Sequence, residues 1–333
     1  MLPRISLVTP SYQQAPYLEE CLASVRAQAP ALVEHLVADG GSTDGSREII
    51  ARHARQLAWW VSERDKGQSE AINKGLAHAT GQVFGWLNSD DALLPGAMER
   101  VARAFVEDPD LLVFGGRILH QDRNGTRLFE PLNDAADVRM LFCDPVINQP
   151  ATFYRMEAVR AIGGVDPALH YVMDLELWWQ LLFRFGTQHL RFEPVELARF
   201  RLHDASKTVT EQPRFLDEKA GLLHGLCLRT GNADLAAVLA MGHRLPQGLR
   251  GIPAGPEHRE RVRDMVVHYL LKWHHTVHAR PQYQMMRAFR DIDLRGIELS
   301  PVQRDRLERL DRHLRAGSWL TFRLKRKWKH WTR

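Results

Sequence analysis

The chain has 333 residues, 44% of them hydrophobic and 26% charged, with a formal net charge of +5. This composition excludes a disordered chain, and no apolar run nears the roughly 20 residues that a membrane-spanning helix needs. The three cysteines, Cys21, Cys143 and Cys227, stand too far apart for a metal motif or a disulfide framework and fit a reducing cytosol.

Met1 to Val8 passes straight into a strand pattern without the long apolar segment of a signal peptide, so the expected place is the cytoplasm. Ile5 to Thr9 is a buried strand pattern ended by Pro10. Leu18, Leu22 and Val25 recur at helical spacing and predict a helix over 15–28. A second strand over 32–38 runs into Asp39-Gly40-Gly41-Ser42-Thr43-Asp44-Gly45-Ser46, whose glycines permit a tight turn and a close ligand approach. Ser42 or Asp44 is placed to cap the next helix, which carries Ile49, Ile50 and Leu57. A third strand over 58–62 leads to Asp65-Lys66-Gly67 and a helix with Ile72, Leu76 and Ala79 on one stripe. The fourth strand covers 83–87. Four strand–helix alternations in about ninety residues predict a parallel α/β sheet. Such sheets bind ligands beyond the carboxyl ends of their strands. Pro10 to Tyr12, Asp39, Asp65 and Asp90-Asp91 all fall there.

The stretch Gly85-Trp86-Leu87-Asn88-Ser89-Asp90-Asp91 closes a buried strand with two adjacent carboxylates. Such a pair repels itself unless it opens a solvated turn or meets a counter-charge. A hard cation such as magnesium or manganese, carrying phosphate oxygens on its other side, is one remedy. Neither a Gly-x-Gly-x-x-Gly opening the first helix nor a P-loop occurs, which argues against a dinucleotide oxidoreductase and a P-loop enzyme. Acid-rich, metal-dependent nucleotide binding remains.

Four ordered blocks carry a resemblance: Ser6 to Tyr12, Val37 to Ser46, Asp65 to Gly75 and Leu87 to Asp91. In content, order and spacing the chain resembles the family 2 glycosyltransferases with the GT-A fold. The resemblance implies a Rossmann-like, mostly parallel sheet flanked by helices over 1–208, followed by a C-terminal helical region over 209–333. It implies inverting, Mn2+- or Mg2+-dependent transfer of one sugar from a nucleotide-diphosphate donor, UDP-linked, to an acceptor hydroxyl in glycan or polysaccharide biosynthesis. Thr9, Pro10 and Tyr12 match positions that frame the base, Asp39 the acid that bonds it and Asp65 a second nucleotide-contacting acid. Ser89 and Asp90 fall with Asn88 and Asp91 in the family's DxD segment, which implies donor contacts from residues 88–90. Asn88 replaces the usual first Asp, and its amide can bind a ribose or sugar hydroxyl but contributes no charge to a metal. Metal ligation then rests on Asp90 or Asp91.

The turn Ile162 to Pro167 and the segment Val172 to Trp179 resemble the family's Gly-Gly-Phe-Asp turn and acceptor-side helix, which makes Asp174 the matching general base. Its apolar neighbours Met173 and Trp178 favour a raised pKa; the alternative is that Asp174 caps the helix. Glu176 reads as structural. Gln180 is followed by Leu181-Leu182-Phe183-Arg184 and not by the Gln-x-x-Arg-Trp of processive polymerases, so transfer of a single sugar is implied. Phe200 to Thr208 resembles a family segment in which a histidine, here His203, reaches the metal or diphosphate, with Lys207 beside the donor.

After about residue 210 the pattern is helical. Ser300-Pro301-Val302-Gln303 predicts a capping box. His274, His275 and His278 read as a mixed helix surface. From Arg312 onward there are eight Lys or Arg residues and no Asp or Glu. With Leu320, Leu324, Trp328 and Trp331 on one face, this end reads as a basic amphipathic tail. It either lies on an anionic membrane, peripheral to its inner face, or packs its aromatics on the helical region. The expected partners are a UDP-sugar and a glycan or lipid-linked glycan acceptor, and no nucleic acid. A non-catalytic nucleotide-sugar-binding protein and a nucleotidylyltransferase are the rival readings, the first kept open by Asn88.

Overall fold

The computed structural model describes residues 2–204, 206–275, 279–314, 319 and 321. They pack as two compact units, Met1–Leu141 with Pro145–Gln212 and Phe142–Asp144 with Pro213–Arg333.

In the first unit, β1 (Ile5–Ser11), β2 (Val33–Asp39), β3 (Trp59–Ser62) and β4 (Val83–Trp86) alternate with α1 (Ala15–Arg26), α2 (Ser46–His53) and α3 (Gln68–His78). The four strands pair in parallel in the order β3-β2-β1-β4. The chain winds from β1 outward to β3, then returns to the other side of β1. That reversal opens a crevice beyond the ends of β1 and β4, the place where doubly wound sheets bind their ligands.

Past β4 the sheet is mixed. β5 (Ala92–Leu93), β6 (Val113–Asp122), β7 (Gly125–Phe129), β8 (Thr152–Arg155) and β9 (Leu190–Arg201) continue it in the order β4-β8-β6-β9-β5, with β7 on β6. β8 runs antiparallel to β4 and β6, whereas β9 runs parallel to β6. The predicted parallel sheet is thus the β3-to-β4 half. β7 is largely exposed and β9 is only partly buried, so neither carries the continuous apolar run by which a buried strand is recognised.

α4 (Ala97–Glu107), α5 (Val138–Cys143), α6 (Met156–Ile162), α7 (Met173–Phe185) and α8 (Lys207–Thr210) complete the elements before the helical unit. Ile5, Leu7, Val83, Phe114, Phe153, Met98, Val101 and Leu197 share one fully buried core, each contributing about 1.5–3 kcal/mol on burial. α2 starts one residue later than an Asp44 cap and three later than a Ser42 cap would place it. Gly45, at φ 99°, is its N-cap, and Asp44 instead accepts hydrogen bonds from the Ser46 and Ala15 amides at 3.1 and 2.9 Å, pinning the start of α1 to that of α2.

The second unit carries α9 (Gln212–Arg229), α10 (Ala233–Gly242), α11 (Arg259–Trp273), α12 (Arg280–Arg290) and α13 (Pro301–Leu314). The capping box at α13 is formed in both directions: Ser300 N to Gln303 Oε1 at 2.9 Å and Gln303 N to Ser300 Oγ at 3.2 Å. His274 departs from its expected surface place. α11 ends before it, and its ring turns inward, edge-on to His243 and Tyr269. His278 and the tail residues Leu320, Leu324, Trp328 and Trp331 lie outside the described residues. Among the described residues no helix is long and apolar enough to cross a membrane.

Away from the crevice, a buried carboxylate ties three elements together. Glu34 on β2 accepts from Ser6 Oγ, from Thr80 N at 2.6 Å, from Thr80 Oγ1 at 2.7 Å and from Gly81 N at 3.3 Å, with Arg4 at 3.7 Å. Burial alone would raise this carboxyl, but those bonds and the Arg4 charge outweigh it and hold it below its ordinary value. A depressed carboxyl stabilises the fold above the unfolded value of about 4.3 and loses that contribution as pH falls through the folded value. Glu34→Gln places an NH2 among donors. We expect a loss of about 1–3 kcal/mol at pH 7, with the gap to wild type closing below about pH 4. Denaturant unfolding at stepped pH checks both.

Candidate active site

The acids at the strand ends are each engaged differently. Asp39, 1% exposed, ends β2. Its Oδ2 accepts from Gly41 N at 3.2 Å, Ser42 N at 2.9 Å and Ser62 Oγ at 2.6 Å, and its Oδ1 from Ser42 Oγ. It therefore holds the glycine-rich loop against β3. Asp65, three residues beyond the end of β3, accepts from Gly67 N at 2.9 Å, and burial holds its carboxyl above the ordinary value. A Cβ at Gly40 would stand 3.0 Å from Asp65 Oδ2, so a glycine lets the two strand ends approach.

The turn after β4 carries the two adjacent acids in opposite surroundings. Asp91 is 2% exposed, and its Oδ1 accepts from the Arg201 backbone N–H at 2.9 Å. Its Oδ2 is buried without a hydrogen-bond partner. Burial first, then the charge of Asp90, holds the Asp91 carboxyl well above its ordinary range. Asp90 is only partly buried, and its Oδ2 lies 3.0 Å from His203 Nε2. The His203 ring stacks on Tyr17 of α1 at 4.7 Å. Arg201 lies over the same tyrosine at 5.0 Å, donates to the Asp90 carbonyl at 3.0 Å and pairs with Glu20. The structure thus separates the two acids: Asp90 meets the histidine, and Asp91 anchors the turn to β9.

Other predicted residues sort by exposure. Tyr12 is 61% exposed at the end of β1, as a stacking face requires, with Pro10 buried before it. Thr9 is fully buried, and its hydroxyl bonds His35 Nε2 at 2.9 Å. Ser89 is also buried, at 3% exposure. Asn88 bonds Gln68 and Gln149, at 2.7 and 3.2 Å. Lys207 reaches Gln68 at 3.3 Å and the His170 carbonyl at 3.1 Å, over the Tyr171 ring.

Asp174 stands in the first turn of α7, where a negative charge is favoured. It is not the cap: Val172 is, with no side-chain cap bond. Its charge reaches the buried Tyr154 phenol on β8, which burial first and Asp174 second push up. Trp178 donates to the Leu141 carbonyl at 2.8 Å, and Glu176 is fully buried, accepting from Gln180 at 2.8 Å. Tyr17, Glu20, Gln68, Gln149 and Arg201 were not singled out by the sequence reading. Gln68 sits in a matched block and Arg201 stands two residues before His203, but nothing in their spacing signals a partner far along the chain.

Among the described residues, Asp108, Asp110 and His189 have ligand atoms within 4.8 Å of one another. They precede β6 and β9 and so lie at the opposite edge of the sheet from Asp39 and Asp90.

Asp39→Ala removes four accepted hydrogen bonds from the loop. We expect the Gly41 and Ser42 amides to exchange with solvent at least about tenfold faster, and stability to fall by about 1–3 kcal/mol. Hydrogen exchange with residue resolution checks this.

Comparison with known proteins agrees with this geometry. Residues 6–162 match Glycosyl transferase family 2. An uncharacterized glycosyltransferase of Nostoc sp. is 34% identical over 233 residues, 65% of this chain and 70% of that protein. One from Mycobacterium tuberculosis is 38% identical over 180 residues, 52% and 67%. The crystal structure of S. aureus TarS 1-349 in complex with UDP-GlcNAc aligns with a TM-score of 0.59 at 14% identity, over 86% of this chain and 80% of that one. Mannosyltransferase PcManGT from Pyrobaculum calidifontis, in complex with GDP-Man and Mn2+, aligns at 0.51 and 16%, over 99% and 88%. At such identities the structural likeness is one of fold, and the fold is GT-A. The chain belongs to glycosyl transferase family 2 and is a glycosyltransferase.

Proposed function

We propose that this glycosyltransferase moves a single sugar from a UDP-linked donor to an acceptor hydroxyl, with inversion and with Mn2+ or Mg2+ on the diphosphate. The observation that carries the reading is the Asp90–His203 pair, 3.0 Å apart at the end of β4. Two adjacent ligands about 2.1 Å from an octahedral cation stand about 3.0 Å from each other, so the pair has the spacing of two ligands on one ion. The second support is the buried, unpartnered Asp91 Oδ2, which a neighbouring positive charge would stabilise. Asp90 and His203 would hold the cation and Asp91 would support the turn. When bound, the cation supplies positive charge for the departing diphosphate.

A nucleotide-sugar donor is further supported by TarS, held with UDP-GlcNAc, and by the Pyrobaculum enzyme, held with GDP-Man and Mn2+. Uridine is our reading of the base. Asp39 and Asp65 set the loop around it, with Tyr12 as its stacking face. Lys207 closes over the donor from the segment after His203. Asp174 would take the proton of an acceptor hydroxyl attacking from the face opposite the diphosphate, which inverts the anomeric centre. A glycan or lipid-linked glycan is the acceptor class. The basic end from Arg312 onward is read as a contact with anionic lipid on the cytoplasmic side.

Calorimetric titration of UDP with and without Mn2+ tests the metal: tighter binding with the ion is expected, at least about tenfold weakened in Asp90→Ala. Equal affinity with and without the ion would refute it. Asp174→Asn keeps the size but removes the base. Donor affinity should hardly change while single-turnover transfer drops by about two to four orders of magnitude. Near-normal turnover would move the base elsewhere, with Glu176 and Asp166 next.

A further inference from the structure

Four side chains and one backbone carbonyl form a continuous hydrogen-bonded line at the end of β4. Lys207 Nζ donates to Gln68 Oε1 at 3.3 Å, and Gln68 Nε2 donates to Asn88 Oδ1 at 2.7 Å. Asn88 Nδ2 then donates to Gln149 Oε1 at 3.2 Å, and Gln149 Nε2 to the Trp86 carbonyl at 2.7 Å. An ammonium can only donate and a carbonyl can only accept, so both ends fix the polarity of the line. Turning any one amide over sets two N–H groups or two oxygens face to face. The mismatch can be passed along, but only as far as Lys207 or Trp86, where it stays. The three amides are half-buried, so water does not freely repair a mismatch.

We propose that Gln68 and Gln149 are positioning residues that hold the Asn88 carboxamide in a single orientation, as a neutral group for a hydroxyl of the donor's ribose or sugar. The proposal rests on the donor reading above. Each amide uses one N–H and one oxygen lone pair in the line. Against the burial that raises the Asp91 carboxyl, the Asn88 side chain also acts to pull it down, and the Asn88 oxygen keeps a second lone pair. A hydroxyl both donates and accepts, which suits such a group better than a carboxylate that only accepts. An aspartate at 88 would keep the bond from Gln68 but set an oxygen against Gln149 Oε1. Gln149 could turn only by setting its oxygen against the Trp86 carbonyl. The line therefore makes asparagine, and not the usual aspartate, the residue that works at this position.

Compensating charge reversal gives the test. A lysine at 149 only donates, so it satisfies an acid at 88 and the Trp86 carbonyl together, but it opposes the native Asn88 amide. Asn88→Asp, Gln149→Lys and the double variant of the full chain are titrated with UDP in Mn2+, and their thermal midpoints are taken without ligand. We expect each single variant to bind about tenfold more weakly and the double variant to return to within about threefold of wild type. The midpoints should follow the same pattern, with both single changes lowering it and the pair restoring it. An Asn88→Asp protein that binds UDP as tightly as wild type, or two changes whose effects simply multiply, overturns the line. If the wild-type protein binds no UDP, the donor reading falls instead. The ligand-free midpoints then decide the line by themselves, with restoration supporting it and additive losses overturning it.

Discussion

Four carboxylates converge on one edge of this sheet, and the fold around that edge consists largely of the means by which each is tolerated. Asp39 is surrounded by N–H and O–H donors from its own loop and from β3. Asp65 leans on a backbone amide, Asp90 on His203 and Asp91 on the amide of Arg201. Like charges this close to an apolar sheet would otherwise protonate or force the strands apart. The glycine at 40, the serines at 42 and 62 and the return of β9 beside the turn after β4 all follow from that need.

The same electrostatics explain why the returning segment 200–207 matters to the crevice. Arg201 contributes its backbone N–H to Asp91, its guanidinium to Glu20 and the Asp90 carbonyl, and its face to Tyr17. His203 shares the tyrosine and meets Asp90. Two side chains of one strand end thereby join α1 to the acid turn, and the apolar ring between them keeps the charges partly dry and therefore strong. An arginine here differs from a lysine in that its planar fork fixes the directions of its two donations while its face lies over the Tyr17 ring.

The helical unit shows the contrasting use of buried polarity. His243 bonds Asp217 at 2.9 Å and Tyr269 at 3.2 Å, Tyr269 donates to the Leu216 carbonyl at 2.9 Å, and His274 lies 3.3 Å from the same hydroxyl. Burial, above all, lowers the pKa of His274 to about 3 and that of His243 below its ordinary value, the latter against the pull of Asp217. These rings hold α9, the end of α10 and the end of α11 by directional bonds in an otherwise largely apolar interior.

The amino-acid order alone determined the parallel half of the sheet, because β1, β2 and β4 are largely buried, carry mainly apolar residues and alternate with segments of helical periodicity. It also determined which strand ends carry acids, since ligands in such folds gather there whatever the rest does. The capping box at Ser300 was legible for the same reason: its partners are three residues apart. Tertiary structure alone decided what depends on long separations. The mixed half of the sheet rests on β8 joining β4, with Val83 opposite Arg155. The division of labour between Asp90 and Asp91 rests on residues 201 and 203, and the polarity of Asn88 on residues 68, 149 and 207. His274 went against expectation because the end of α11 aimed it inward. Local patterning specifies which face a residue takes within its own element, but the partner on that face is supplied by packing, and no spacing in the sequence encodes it.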